Sequence, residues 1–117
     1  MYILLILLSF ILPVTLLIIG LIFYKFSPQK INSFSGYRTT RSMKNIETWN
    51  EANKHSSKLM IKFSFSILLL TTFGVFLADK SYKMIVAVIL VSTIVSVIFI
   101  LITIILTEKH LINMFGE

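Results

Sequence analysis

The polar segment of residues 36–54 holds the side chains of this chain that are best suited to binding chemistry. Arg38 and Arg41 lie close together in it, and guanidinium groups bind a carboxylate or a lipid phosphate through paired hydrogen bonds. The amides of Asn45 and Asn53 are costly to bury without partners, so we expect each to hydrogen-bond within the segment or to its neighbours. On these residues alone, the segment is either a positively charged cytoplasmic connector with an interfacial tryptophan or a surface that recognises a partner.

The sequence offers little for catalysis or metal binding. It has no cysteine, which excludes disulfides, thiolate metal sites and cysteine nucleophiles. His55 and His110 are each a lone histidine, which cannot make a metal site without other ligands, and we expect His55 to be a solvated helix residue. Glu47 and Glu51 have no nucleophile or phosphate loop beside them and are expected to be solvated. We therefore predict that the protein is not an enzyme and has no catalytic residues, no metal site and no cofactor.

Long apolar runs must position the polar segment. Hydrophobic residues make up 56% of the chain, and the mean hydropathy is +0.91, far above that of ordinary soluble domains. Residues 1–24 and 84–107 carry no charge, and the run 63–78 reaches membrane-spanning length when it is extended back to Leu59. The sequence therefore predicts an all-α fold, an integral membrane three-helix bundle that forms one domain over residues 1–117, with spans at about 2–24, 58–78 and 84–107.

The first apolar run is expected to be retained as a membrane span. It has no basic residue before Lys25, and it is too long for the apolar core of a cleaved signal peptide. Pro13 interrupts its backbone hydrogen bonding. Pro13 is tolerable inside the span, because neighbouring helices can satisfy a freed backbone group in a membrane.

Most of the basic residues lie between the first two apolar runs or at their edges. By the positive-inside rule, this distribution places residues 25–57 and the C-terminus in the cytoplasm, and the N-terminus and residues 79–83 outside. Topology thus explains the net charge of +6 without direct binding of nucleic acid. The same charge favours contact with anionic lipid headgroups.

The loop between the first two runs changes character near its middle. Residues 25–41 contain a proline and a glycine and show no apolar periodicity, so they are expected to be irregular. From Ser42 onward, apolar residues recur at helical spacing, which predicts a short amphipathic helix with Ser42 or Asn45 as its N-cap. The face that carries Ile46 and Trp49 is expected to rest on the bilayer interface or on the helix bundle.

Small and weakly polar residues recur along each apolar run, and such residues let helices approach closely in lipid. They are Ser9, Pro13 and Gly20 in the first span, Thr71, Gly74 and Ala78 in the second, and Ser92, Ser96, Thr103 and Thr107 in the third. We expect these faces to pack against one another. A channel or transporter that conducts along the hydroxyl groups of the third span is the least favoured alternative.

The order Gly-Tyr-Arg-Thr, Ser-Met-Lys-Asn, Thr-Trp and Ala-Asn, from Gly36 through Asn53, resembles the signature of the SdpI family. One span before the motif and a close pair after it agree with that family's pattern. The resemblance implies a multi-pass protein of the bacterial plasma membrane that confers immunity to a secreted, membrane-active toxic peptide. It also implies signal relay, in which a small DNA-binding repressor is captured at the membrane. The founding immunity protein has additional spans, whereas this chain carries only the three-span unit.

The residues of the motif expected to bind a partner are Gly36, Tyr37, Arg38, Thr39, Arg41, Ser42, Lys44, Asn45, Thr48, Trp49 and Asn53. We expect the basic side chains to contact anionic groups, the tryptophan to anchor the segment, and the two amides to fix the loop against the bundle. The expected partners are the lipid bilayer, a toxic peptide and a cytoplasmic repressor, and an oligomer is compatible with the sequence. The alternative is a small regulatory or structural subunit that binds a larger membrane partner or anionic lipid.

Overall fold

A computed structural model describes residues 1–116, which form three long helices and no strand. Helix α1 comprises Tyr2–Lys25, α2 comprises Ile46–Ala78 and α3 comprises Tyr82–Phe115. All three are long and apolar enough to cross a membrane, so the predicted all-α membrane fold is confirmed. The bundle measures 51 × 23 × 19 Å, which is longer than the roughly 30 Å of hydrocarbon in a bilayer.

The excess length of α2 and α3 lies at one end of the bundle. At about 1.5 Å per residue, each of these helices is about 50 Å long, whereas α1 is about 36 Å long. The polar residues 46–57 at the start of α2 and residues 108–115 of α3 both lie next to the loop 26–45. We call this end the loop end, and the opposite end, which carries the connection 79–81, the turn end.

The predicted separate amphipathic helix in the loop is not present among the described residues. Helix α2 begins at Ile46 and continues into the second span without interruption. The helical periodicity after Ser42 was interpreted correctly as helix, but residues 46–58 contain no proline or glycine that would end it. The segment is therefore an extension of α2, and it begins twelve residues before the predicted span at 58.

The small residues of the three helices meet in the centre of the bundle, as predicted. The buried ones are Ser9, Pro13 and Gly20 of α1, Thr71 and Ala78 of α2, and Ser92, Ser96, Thr103 and Thr107 of α3. The hydroxyl of Ser96 donates a hydrogen bond to the Ser92 carbonyl at 2.8 Å, inside its own helix. This arrangement supports the interpretation of these faces as packing surfaces.

Pro13 creates a hydrogen-bonded junction between the helices. It lacks the N–H that would bond the carbonyl of Ser9, four residues earlier. The Ser92 hydroxyl of α3 donates to that carbonyl at 3.3 Å, and the Ser92 oxygen lies 3.2 Å from the hydroxyl oxygen of Thr71 in α2. The neighbouring helix thus supplies a partner for the carbonyl that Pro13 frees.

The connection at the turn end is short and well defined. Asp79 and Lys80 both have positive φ angles, of 45° and 63°, and Ser81 caps α3 by accepting a hydrogen bond from the Met84 N–H at 3.4 Å. The backbone N–H of Lys80 donates to the Tyr2 hydroxyl at 3.0 Å. This contact brings the start of α1 to the α2–α3 connection and fixes α1 as antiparallel to α2.

Candidate functional site

The first turn of α2 is fixed by a reciprocal pair of hydrogen bonds. The Thr48 N–H donates to Oδ1 of Asn45 at 2.9 Å, and the Asn45 N–H donates to Oγ1 of Thr48 at 3.2 Å. This arrangement is a capping box, and Asn45 is the N-cap, one of the two residues that the sequence predicted. The side chain of Asn45 therefore starts the helix that presents the rest of the motif.

Trp49 and Asn53 of α2 hold the middle of the loop. Trp49 is fully buried, and its Nε1 donates to the carbonyl of Pro28 at 2.8 Å. Asn53 is also buried; its Oδ1 accepts from the Tyr37 N–H at 2.8 Å, and its Nδ2 donates to the Trp49 carbonyl at 2.9 Å. We call Gly36, Tyr37, Trp49 and Asn53 the loop junction. Through these bonds Asn53 attaches the loop to α2.

Gly36 is the point where the loop backbone passes closest to α2. Its φ angle is +96°, a conformation that is open to glycine and strained for other residues. A Cβ atom built on it would lie 2.6 Å from Oδ1 of Asn53 and 3.3 Å from Cζ2 of Trp49. The motif therefore needs glycine here for both conformation and space.

A compact turn built around Ser42 follows the loop junction. Ser42 is fully buried; its hydroxyl donates to the Tyr37 carbonyl at 3.1 Å and accepts from the Thr39 N–H at 2.8 Å. The Thr48 hydroxyl donates to the Ser42 carbonyl at 3.1 Å, which links this turn to the capped start of α2. Local hydrogen bonds of this kind are typical of serine and threonine in turns.

The loop is also bound to α3, through Glu108. The Tyr37 hydroxyl donates to Oε1 of Glu108 at 2.7 Å, and Nη1 of Arg41 pairs with Oε2 at 2.5 Å. We call Tyr37, Arg41 and Glu108 the carboxylate cluster. Glu108 directly follows the charge-free run 84–107, so the cluster lies just beyond the apolar part of α3.

The electrostatics of the carboxylate cluster keep its phenol neutral and its carboxylate charged. Burial raises the pKa of Tyr37, and the hydrogen bond to Glu108 raises it further, so the phenol stays a donor. Burial alone would raise the pKa of Glu108, but hydrogen bonds from Thr39, Tyr37 and Arg41 outweigh it and the pKa is lowered. The cluster therefore holds one negative charge that is neutralised by Arg41.

Two histidines join α2 to α3 beside this cluster. The rings of His55 and His110 are stacked, with centroids 4.0 Å apart and planes 7° apart. Nε2 of His110 lies 2.8 Å from Oε1 of Glu51, and Nδ1 of His55 lies 3.3 Å from the Thr107 hydroxyl. The expectation of solvated side chains at His55 and Glu51 is corrected, because both contact α3. Among residues 1–116, no group of three potential metal ligands converges.

The structure separates the predicted partner-binding residues into three groups. Buried ones are Ser42, Thr48, Trp49 and Asn53, half-buried ones are Gly36, Tyr37, Thr39 and Arg41, and exposed ones are Arg38, Lys44 and Asn45. Most of the motif therefore makes contacts within the protein. Trp49 packs against the loop and not in the bilayer interface, whereas Arg38 remains at the surface and donates to the carbonyl of Ser33. Contact of this set with a partner stays a prediction.

Sequence reasoning missed the residues that complete the site. Glu108 and His110 lie in the tail of α3, for which the sequence predicted a cytoplasmic location but no contact with the loop or with α2. Phe34 was also missed; it is 90% exposed on the loop, near the surface arginine Arg38. The one available signal was Glu108 itself, an acidic residue placed directly after a charge-free run and opposite a basic loop.

Comparison with known proteins gives two matches. The profile of the SdpI/YfhL protein family matches residues 29–107, which include the whole motif and end just before Glu108. The uncharacterized protein YfhL of Bacillus subtilis (strain 168) is 38% identical over 96 residues, which cover 82% of this chain and 78% of that protein. No solved structure matches the chain.

Proposed function

This chain belongs to the SdpI/YfhL protein family, and from that premise we propose that it gives a bacterial cell immunity to a membrane-active toxic peptide. The proposed action is binding, with signal relay through the loop at the loop end. The observation that supports it is the double attachment of the loop. Asn53 bonds the loop to α2 at 2.8 Å, and Glu108 bonds it to α3 at 2.7 Å.

The double attachment gives a physical route for the signal. The loop position depends on how α2 and α3 lie relative to each other, because Tyr37 contacts both helices. A toxic peptide that binds one arrangement of these helices more tightly than another shifts the population toward that arrangement. The loop would then move or be released. It would do so on the face of the membrane opposite to the one that the peptide reaches.

The exposed surface of the loop is suited to a protein partner. Phe34 is 90% exposed and Phe26 is 71% exposed, and the basic side chains of Lys30 and Arg38 are exposed on the same loop. Aromatic residues and arginine are enriched among the residues that dominate protein–protein binding. We propose this surface as the contact for a cytoplasmic repressor.

A killing assay tests immunity. The chain is expressed in a toxin-sensitive bacterial strain, membrane insertion is confirmed, and survival is measured against a dose series of membrane-active peptides. We expect protection by the wild-type chain, its loss with Asn53→Ala, and its retention with Asn50→Ala, an exposed asparagine on the same helix. Killing equal to that of the empty-vector strain would contradict immunity. If one membrane protein then co-purified in stoichiometric amount, the regulatory-subunit alternative would be favoured.

A labelling experiment tests the proposed orientation, with the loop in the cytoplasm. The chain contains no cysteine, so a single introduced cysteine reports one position. Ser33→Cys marks the exposed loop and Lys80→Cys marks the exposed turn end. In intact cells a membrane-impermeant maleimide should label only Lys80→Cys, and permeabilisation should expose Ser33→Cys. Labelling of Ser33→Cys in intact cells would contradict the proposed orientation and place the loop outside the cell.

A further inference from the structure

A cavity of about 260 Å³ lies directly beneath the loop junction. All three helices line it, with Leu16, Ile19 and Phe23 from α1, Met60 from α2 and Ile100 and Ile104 from α3. Gly36 and Tyr37 close it from the loop. An engineered apolar cavity of about 150 Å³ is large enough to bind benzene, so this one has room for a longer aliphatic group.

The polar residues of the cavity wall have their hydrogen bonds elsewhere. The hydroxyls of Ser56 and Ser57 donate to the carbonyl of Asn53, and the hydroxyl of Thr103 donates to the carbonyl of Phe99 at 2.8 Å. The Asn53 amide is itself used in the loop junction. The cavity wall therefore presents methyl and methylene groups, and the hydrogen-bonding groups of these side chains are already satisfied. Such a wall favours an apolar ligand.

The position of the cavity indicates the source of that ligand. It lies beside the last three turns of α1, at the depth of the lipid leaflet on the loop end. Ile104, in its wall, is 39% exposed on the surface of a helix that crosses the membrane, so the cavity wall extends to the lipid-facing surface. Lipid chains are the apolar groups that surround this surface.

Basic side chains at the same depth favour a phospholipid with an anionic headgroup. Lys25 ends α1 two residues after the cavity residue Phe23, and Lys58 of α2 follows the cavity residue Ser57. Both lysines are exposed, as is Lys54 one turn earlier. Basic residues close to a membrane surface attract anionic lipid. We propose that the cavity binds one acyl chain of an anionic phospholipid from the leaflet at the loop end.

The single tryptophan of the chain makes this proposal directly measurable. Trp49 is fully buried, and its Cζ2 atom would lie 3.3 Å from a Cβ on Gly36, which closes the cavity. A brominated acyl chain in the cavity would therefore quench Trp49 fluorescence at short range. The protein is reconstituted in phosphatidylcholine vesicles that contain increasing mole fractions of brominated phosphatidylglycerol or brominated phosphatidylcholine.

We expect quenching by brominated phosphatidylglycerol that saturates at a low mole fraction, with weaker quenching by brominated phosphatidylcholine. Ile100→Phe narrows the cavity, and in this variant the saturable part of the Trp49 quenching should disappear. Ile98→Phe, on an exposed position of the same helix, should keep it. Thr103→Leu is a second narrowing variant, and an unchanged Trp49 emission maximum shows that a variant is folded.

Three results would overturn the proposal. The first is quenching that rises in proportion to mole fraction without saturation, since that reports only lipid around the protein. The second is equal saturable quenching in Ile100→Phe, Thr103→Leu and the wild type. The third is equal quenching by the anionic and the zwitterionic lipid, which would exclude selection of an anionic headgroup.

Discussion

Gly36 passes so close to Asn53 that a Cβ atom at position 36 would lie 2.6 Å from the Asn53 Oδ1 atom. The same oxygen accepts the Tyr37 N–H at 2.8 Å. The absent side chain at position 36 and the amide of Asn53 are therefore two parts of one contact, because any other residue at position 36 would place a Cβ atom against this oxygen. This contact explains why the motif combines a glycine in the loop with an asparagine on the third turn of α2.

Replacement of Gly36 by alanine should destabilise the protein by about 2 kcal/mol or more. A left-handed backbone costs a non-glycine residue about 1–2 kcal/mol, and the contact with Asn53 adds a steric cost. Thermal unfolding in detergent, followed by Trp49 fluorescence, measures the effect. Gly116→Ala is the control, since Gly116 also has positive φ but nothing lies within 4 Å of its Cβ position. Equal melting temperatures for Gly36→Ala and Gly116→Ala would contradict the role of this contact.

The features that the sequence predicted correctly depend on local patterns. The small residues of each span marked the faces that pack, and Asn45 was one of two proposed caps. Both features follow from periodicity or from residues within one turn of each other. Pro13 was judged tolerable inside a span, whereas the hydrogen bond from Ser92 to the Ser9 carbonyl needed the structure.

The features that were missed depend on contacts between distant parts of the chain. Arg41 and Glu108 are 67 residues apart, and no local pattern indicates that the tail of α3 returns to the loop. The sequence left open whether the face that carries Trp49 rests on the bilayer interface or on the helix bundle, and only the position of the loop over Trp49 shows that this side chain is buried. The amphipathic pattern after Ser42 identified a helix, and the absence of proline and glycine from residues 46–58 was the local signal that this helix continues into the second span.

The carboxylate cluster should show measurable coupling between Tyr37 and Glu108. Tyr37→Phe removes the phenol that donates at 2.7 Å, and Glu108→Gln removes the charge that accepts it. In a double-mutant cycle on thermal stability, we expect a coupling energy of about 1 kcal/mol, reduced by partial exposure of the cluster. The paired control combines Glu108→Gln with Tyr24→Phe, an exposed tyrosine of α1. A coupling energy of zero for Tyr37 would show that the hydrogen bond contributes nothing to stability.

The junction at Pro13 should depend on the Ser92 hydroxyl. Ser92→Ala removes the hydroxyl that donates to the Ser9 carbonyl. That carbonyl then has neither the hydroxyl of α3 nor a backbone N–H at position 13, because proline has none. Hydrogen bonds between membrane helices contribute about 0.6 kcal/mol on average, so a loss of that order is expected. Thr93→Ala is the matched control, because Thr93 is exposed and its hydroxyl bonds the Ile89 carbonyl of its own helix. Equal stability of the two variants would argue against the junction.

The stacked histidines should make stability depend on pH near neutrality. Burial lowers the pKa of His55, His110 lowers it further, and Glu51 acts in the opposite direction. Lys58 and Lys62 of α2 also lower it. The folded protein therefore binds fewer protons at His55 than the unfolded chain does. The stability that neutral His55 contributes is therefore fully present above the unfolded pKa of about 6.5, and it is lost as the pH falls below that value.

We expect the melting temperature to be lower at about pH 5.5 than at about pH 7.5, with most of the difference absent in His55→Gln. Glu108→Gln is the matched control. Because the pKa of Glu108 is lowered, the stability that its carboxylate contributes is fully present above the unfolded pKa and is lost only as the pH falls below about 4.5. Glu108→Gln should therefore keep the difference in melting temperature between about pH 5.5 and about pH 7.5. The measurement is thermal unfolding of the three proteins in the same detergent. A pH difference that persists in His55→Gln would assign the titration to another group, and a melting temperature independent of pH in the wild type would contradict the lowered pKa of His55.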